Sequence, residues 1–331
     1  MENRKVAVLG SGSWATAIVK ILSENSCEVN WWVRHEESRE HITRYGHNPK
    51  YLQSAHLNTK NINLFSSLKE AIVHSYVVIV AIPSAFVESC FVNLDKMNFE
   101  NKLVFSAVKG FISNTNLIPA QFFLSKYDLK NDSVGIICGP CHAEEIALER
   151  LSYLTIACKN KLNAEKISDL LENRYLRTSV TDDLIGTEYA AVLKNVYALA
   201  AGISSGLGYG DNYQAILISN AIQELERFID YISPVHRDTK SSAYLGDLLV
   251  TAYSSFSRNR TFGSMIGKGY TVKAAQLEMN MIAEGYYALK SIFEINKNYK
   301  VSMPIMEKTY EIIYNRKNPR TEFYELSKML S

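Results

Sequence analysis

Lys194 sits in Ala190-Ala-Val-Leu-Lys194-Asn195-Val196, a mostly apolar window with helical spacing and little polar face for an ammonium group. Two readings are open for it. One is a surface lysine on an amphipathic helix. The other is a lysine held among apolar groups or near another cation, which releases its proton more readily and acts as a base. Lys109, in Ser106-Ala-Val-Lys109-Gly110, follows directly on a predicted strand. In an open α/β sheet such strand ends border the ligand crevice. Asp247, in Leu245-Gly246-Asp247-Leu248, precedes an apolar helical stretch, so helix N-capping is its plain reading. Ser257-Arg258-Asn259-Arg260 sets two guanidinium groups and an amide in one short segment. Solvated charge is one reading there; a phosphate grip is the other, because a planar guanidinium matches phosphate oxygens.

The elements that must position these groups start near residue 6. Val6–Leu9 is an apolar run that fits a buried strand. Gly10-Ser-Gly12 breaks it, and apolar residues at helical spacing follow at Trp14, Ile18, Ile21 and Leu22. Strand, glycine turn, helix is the setting in which G-x-G-x-x-G/A has physical meaning. Gly10 permits the sharp turn, Gly12 lets backbone approach a pyrophosphate, and the small Ala15 lets helix sit close on strand. The helix N-terminus offers N–H groups and partial positive charge to a phosphate. A second strand, Glu28-Val-Asn-Trp-Trp-Val33, ends at Arg34-His35. A nicotinamide enzyme also needs a proton donor or acceptor, orienting polar groups and a grip on the rest of the substrate.

Apolar β-type runs recur at Tyr76–Ile82, Leu103–Ser106, Val134–Cys138 and Tyr153–Ala157. Helix-like stretches separate them, at Leu68–His74, Ala85–Leu94 and Ala143–Glu149. This alternation predicts a parallel, doubly wound Rossmann-type sheet over residues 1–183. From Leu184 the spacing turns helical. Ile185, Tyr189, Val192, Val196 and Leu199 form one stripe, and Ser204–Asn212 is a glycine-rich break between helices. Residues 184–331 are expected to form an all-helical substrate-binding and catalytic domain.

At 331 residues the chain fits two domains. With 36 basic and 34 acidic residues the net charge is +2, which carries no electrostatic footprint for nucleic acid or an anionic membrane. The most apolar run, Tyr76 to Val87, includes Pro83 and is too short to span a bilayer. Met1-Glu-Asn-Arg-Lys5 leads straight into a strand without a signal peptide, so a cytoplasmic protein is expected. Five cysteines, an odd number, do not resemble a secreted disulfide framework. Cys138-Gly-Pro-Cys141-His142 matches both a dithiol redox spacing and the C-x-x-C-H haem spacing. No export signal or thioredoxin-sized frame accompanies it, and a plain loop after the strand is the expectation.

Taken together, these windows resemble one family. Gly10-Ser-Gly-Ser-Trp-Ala-Thr-Ala17, Lys109-Gly110, Gly139-Pro140 with Ala143 and Glu145, Lys194-Asn195-Val196, Gly246-Asp247-Leu248, Ser257-Arg258-Asn259-Arg260 with Phe262-Gly263, and Glu284-Gly285 stand in the order seen in bacterial NAD(P)-dependent glycerol-3-phosphate dehydrogenases. The resemblance extends through Met303-Pro304-Ile305. It implies interconversion of sn-glycerol 3-phosphate and dihydroxyacetone phosphate, supply of glycerol 3-phosphate to phospholipid synthesis, and a homodimer. It also implies roles for individual residues. Lys194 takes the proton of the C2 hydroxyl. Lys109, Gly139, Cys141, Asp247, Ser257, Arg258 and Asn259 hold the substrate. Gly10, Gly12, Ser13, Trp14, Arg34, Lys109, Ala143, Arg258, Ile282 and Glu284 contact the cofactor, with His35 a further candidate; no metal is implied. A second ammonium such as Lys109 near the developing alkoxide would stabilise it and ease deprotonation of Lys194.

Arg34 stands where an acidic residue would favour a free ribose 2′-hydroxyl, so NADP(H) is the expected cofactor, with NAD(H) also accepted. Two positions depart from the family pattern. Gln214 replaces a basic residue in Gly210-Asp-Asn-Tyr-Gln214, and Cys141 replaces a hydroxyl residue. Two rival functions predict different residues. A nucleotide-sensing binding protein has no need of Lys194 and Asp247 together. An enzyme for another hydroxy substrate has no need of Ser257-Arg258-Asn259.

Overall fold

Eight strands form one sheet: β1 (Lys5–Leu9), β2 (Glu28–Trp32), β3 (Ile62–Phe65), β4 (Val77–Val80), β5 (Leu103–Ser106), β6 (Val134–Cys138), β7 (Ser152–Cys158) and β8 (Leu176–Thr181). The order across the sheet is β3-β2-β1-β4-β5-β6-β7-β8. This computed structural model describes residues 5–279 and 283–331. The chain divides into two compact units, Met1–Val108 with Ile112–Leu184, and Lys109–Phe111 with Ile185–Ser331. The second unit thus takes in three residues just beyond β5.

The apolar runs read from the sequence are the inner strands. Val6, Val8, Val78, Ile79, Val104 and Phe105 are buried, because strands covered on both faces carry continuous hydrophobic sequence. All ladders are parallel except β6–β7, where Gly135 to Cys138 pair with Cys158 to Thr155 in antiparallel register. The wholly parallel sheet expected from the alternation is corrected at this one ladder. Alternation fixes the order of elements, whereas strand direction depends on how each connection returns. β3 and β8 had no counterpart in the sequence reading. They are the two edge strands, half exposed, and lack an unbroken apolar run.

After β8 the described residues carry helices and turns and no strand. The helix Leu184–Gly206 is longer and more deeply placed than one apolar stripe suggests, since every residue from 186 to 204 is buried. Its neighbour, Arg258–Gly267, approaches backbone to backbone. A Cβ on Gly202 would overlap the Arg260 carbonyl, and one on Gly263 the Leu199 carbonyl.

The helix Asp211–Ile232 contributes a fully buried acid, Glu224. Its carboxylate oxygens accept from the Ile305 and Met306 amides at 2.9 and 3.0 Å, in the first turn of helix Pro304–Ile313. Burial pushes this carboxyl up to about 8, against those two N–H donors and the Arg227 charge, which pull it down. An unfolded glutamate titrates near 4.5. Between those values the folded chain keeps a proton that the unfolded chain releases. Glu224 therefore contributes stability that is fully present below about pH 4.5 and lost as pH rises through about 8. Thermal unfolding of the parent chain and Glu224→Gln between pH 5 and 8 should show this loss shrinking in the variant. Parallel curves would show that Glu224 does not titrate in this window.

Candidate active site

In the second unit Lys194 and Asp247 form an ion pair, their side chains only 4% and 1% exposed. The apolar neighbours of Lys194 thus bury it, and the surface reading fails. The capping reading of Asp247 fails too. Gly246 is itself helical (φ −59°, ψ −47°), and a wide π turn over Ser242–Gly246 runs directly into helix Asp247–Tyr253. Asp247 is that helix's first residue and has helical backbone itself (φ −70°, ψ −33°), one position past where a cap would sit. Such wide turns recur at functional sites because they re-aim one side chain.

A relay of amides lies beside the pair. Asn195 Nδ2 donates to the Lys109 carbonyl at 2.9 Å. Asn259 Nδ2 donates to Asn195 Oδ1 at 2.9 Å, and Gly285 N donates to Asn259 Oδ1 at 2.9 Å. A Cβ on Gly285 would lie 2.5 Å from the Asn195 carbonyl oxygen, so a glycine is what admits this approach. Four of the charged candidates contain or flank a relay member: Lys109 itself, Lys194 beside Asn195, Arg258 beside Asn259, Glu284 beside Gly285. Asn195 and Asn259 are buried, whereas Lys109, Arg258 and Glu284 are half-buried. Ser257 is buried and caps helix Arg258–Gly267, its Oγ accepting from Arg260 N at 3.3 Å. Gln214 donates to the Ala201 carbonyl (2.8 Å) and Ser204 Oγ (2.7 Å), so its amide is engaged within the helical packing.

In the first unit the turn Gly10-Ser-Gly12 joins β1 to helix Ser13–Glu24. Its two glycines answer to different demands. Gly10 has φ +126°, and a Cβ there would overlap the Ala81 carbonyl, so the fold requires it. Gly12 has ordinary extended backbone (φ −79°, ψ −176°), and a Cβ there would meet nothing within 4 Å. The protein has no steric reason for glycine at 12. A ligand lying on the turn supplies one, and the residues fit a dinucleotide in this respect. Ser13 is buried and Trp14 half-buried, while Arg34 and His35 are exposed just past β2. Arg39 braces that segment, its Nη1 donating to the Val33 and Arg34 carbonyls at 2.7 and 3.2 Å. Gly139, Cys141 and Ala143 are buried beyond the end of β6. None of the five cysteines is in a disulfide, and Cys141 packs in the sheet's apolar core. Ile282 lies outside the described residues.

Comparison with known proteins decides the family. The N-terminal profile of NAD-dependent glycerol-3-phosphate dehydrogenase matches residues 5–164, and the C-terminal profile of the same enzyme matches residues 183–323. The chain belongs to this dehydrogenase family. A glycerol-3-phosphate dehydrogenase [NAD(P)+] from Staphylococcus carnosus is 33% identical, covering 94% of both chains. The Lysinibacillus sphaericus enzyme of that name is 35% identical, over 96% of this chain and 94% of its own. The crystal structure of the Coxiella burnetii glycerol-3-phosphate dehydrogenase superposes with a TM-score of 0.89 at 25% identity, covering 97% of this chain and 98% of the other.

Two residues of this glycerol-3-phosphate dehydrogenase chain bear on the site although their types and spacing assign them no role. Asn195 stood in a quoted motif, yet its partners come from segments 64 and 86 positions away. Asn48 holds the glycine turn from outside the motif; its signal was the Asn48-Pro49 dipeptide, a turn marker.

Proposed function

We infer that this protein interconverts sn-glycerol 3-phosphate and dihydroxyacetone phosphate with NAD(P)(H), and that Lys194 handles the proton on the C2 oxygen. The observation that carries the assignment is the buried Lys194–Asp247 pair, a cation and an acid taken out of water in a unit built around it.

A bound nicotinamide supplies or takes the hydride at C2. In the reducing direction the Lys194 ammonium donates a proton to the carbonyl oxygen as alkoxide charge develops, and Asp247 keeps the ammonium aimed. In the oxidising direction the Lys194 amine accepts the hydroxyl proton. Lys109 and Arg258 bring positive charge to the phosphate and the developing alkoxide. Gly139 and Cys141, through their backbone, join Ser257 and Asn259 in completing the substrate's polar surroundings. The residues assigned to the cofactor are Gly10, Gly12, Ser13, Trp14, Arg34, His35, Lys109, Ala143, Arg258 and Glu284. Gln214, spent on the helix Leu184–Gly206, adds no charge for phosphate, which leaves that work to Lys109 and Arg258. No described helix is long and apolar enough to cross a membrane. The setting proposed is the cytoplasm, as a homodimer feeding glycerol 3-phosphate to phospholipid synthesis.

Mixing purified protein with NADPH and dihydroxyacetone phosphate and following the absorbance of the reduced nicotinamide tests the reaction. Consumption is expected. A nucleotide-sensing protein would consume nothing, and an enzyme for another hydroxy acid or ketone would consume only with that compound.

Cofactor choice rests on Arg34, exposed at the end of β2 and suited to a 2′-phosphate. Losing one charge-assisted contact of this kind costs about 1.5–3 kcal/mol, roughly tenfold or more in affinity. Arg34→Ala should therefore raise KM for NADPH about tenfold and leave KM for NADH within about twofold. Equal losses with both nucleotides would remove Arg34 from the selectivity argument.

A further inference from the structure

The carbonyl oxygens of the glycine turn are each held by a buried side chain. Trp31 Nε1 donates to the Gly10 carbonyl at 2.6 Å, from the neighbouring strand. Asn48 Nδ2 donates to the Ser11 carbonyl at 3.1 Å. Thr16 Oγ1 donates to the Gly12 carbonyl at 2.9 Å and itself accepts from Asn48 Nδ2 at 2.9 Å. Asn48 Oδ1 in turn accepts from Lys50 N (3.0 Å) and Tyr51 N (3.2 Å), which fixes the amide's own orientation. Trp31, Asn48 and Thr16 are 0%, 2% and 0% exposed.

A trans peptide points its C=O and N–H in opposite directions. Holding the Gly10, Ser11 and Gly12 carbonyls on the protein side therefore turns the next N–H groups, of Ser11, Gly12 and Ser13, to the other side. Successive N–H groups aimed one way form a concave site for an anion. We propose that Asn48 is a positioning residue for cofactor binding: its amide locks the Ser11–Gly12 peptide so that the Gly12 N–H faces the dinucleotide pyrophosphate, with Trp31 and Thr16 locking the peptides on either side. The proposal rests on the placement of the dinucleotide at this turn.

Steady-state kinetics of Asn48→Ala and Trp31→Phe test it, with thermal unfolding recorded for each. Trp31→Phe keeps an aromatic ring and removes the indole donor, so it serves if Asn48→Ala does not fold. In either variant KM for NADPH should rise about tenfold, with kcat at saturation and KM for dihydroxyacetone phosphate within about twofold. A folded variant with the parent's KM for NADPH overturns the proposal. So does a variant in which kcat and both KM values worsen together, the mark of general loosening. If Gly12→Val also leaves NADPH binding intact, the placement of the dinucleotide is what fails. If Gly12→Val abolishes binding while both donor variants bind normally, only the positioning role fails.

Discussion

Lys194→Met should lower kcat for reduction of dihydroxyacetone phosphate about a thousandfold, within the 10²–10⁴-fold range of a positioned proton donor. The same substitution should also cost stability, for a separate reason. It leaves the Asp247 carboxylate in a site where that side chain is 1% exposed, without its lysine. Removing one member of a buried ion pair costs about 3–5 kcal/mol, because the remaining charge keeps its desolvation penalty. The two effects separate in a double variant. Adding Asp247→Asn to Lys194→Met removes the stranded charge, so the unfolding midpoint should recover by several degrees while turnover stays lost. Recovery of both would mean that Lys194 only supports the fold. The relay Lys109–Asn195–Asn259–Gly285 should survive the substitution, because its bonds involve the Asn195 side chain and not that of Lys194.

Gly12→Val should raise KM for NADPH at least about a hundredfold while moving the unfolding midpoint by no more than about 2 °C, the scale of a sub-kilocalorie change in a chain this size. The reason lies in the contrast between the two glycines of one turn. At Gly12 a side chain finds open space and ordinary backbone angles, so the folded protein tolerates it and only a ligand on the turn is displaced. At Gly10 the backbone is left-handed and the Ala81 carbonyl blocks a Cβ, so Gly10→Ala should destabilise by more than about 1 kcal/mol. Gly12→Ala, with a smaller group, should give an intermediate loss of NADPH affinity. If Gly12→Val binds NADPH normally, the pyrophosphate does not lie on this turn.

The inner sheet was legible because parallel strands covered on both faces require unbroken apolar sequence, as at Val6–Leu9 and Val77–Val80. Ile62–Phe65 and Leu176–Thr181 were not, because edge strands mix exposed and buried residues and their pairing depends on a neighbour. The reversed direction of β7 left no mark in its composition. In the helical unit the apolar window around Lys194 carried the hint of burial, but its partner lies 53 positions along the chain. Capping is the plain reading of Asp247 from its window alone, because it follows a glycine turn and precedes an apolar helix. The π turn through Ser242–Gly246 keeps that glycine helical, and no local spacing signals it. The glycine contacts between Leu184–Gly206 and Arg258–Gly267 were likewise invisible, since each needs the other helix to acquire meaning.

The claim on which the mechanism turns is that the Lys194 amine exchanges the C2 proton. A single-turnover measurement isolates that step: protein saturated with NADPH is mixed with saturating dihydroxyacetone phosphate, and the reduced nicotinamide absorbance is followed in the parent, in Lys194→Met, and in Lys194→Met with Asp247→Asn. The expected result is rapid decay in the parent and decay slower by about a thousandfold in both folded variants. Decay at the parent's rate in either variant would contradict the assignment.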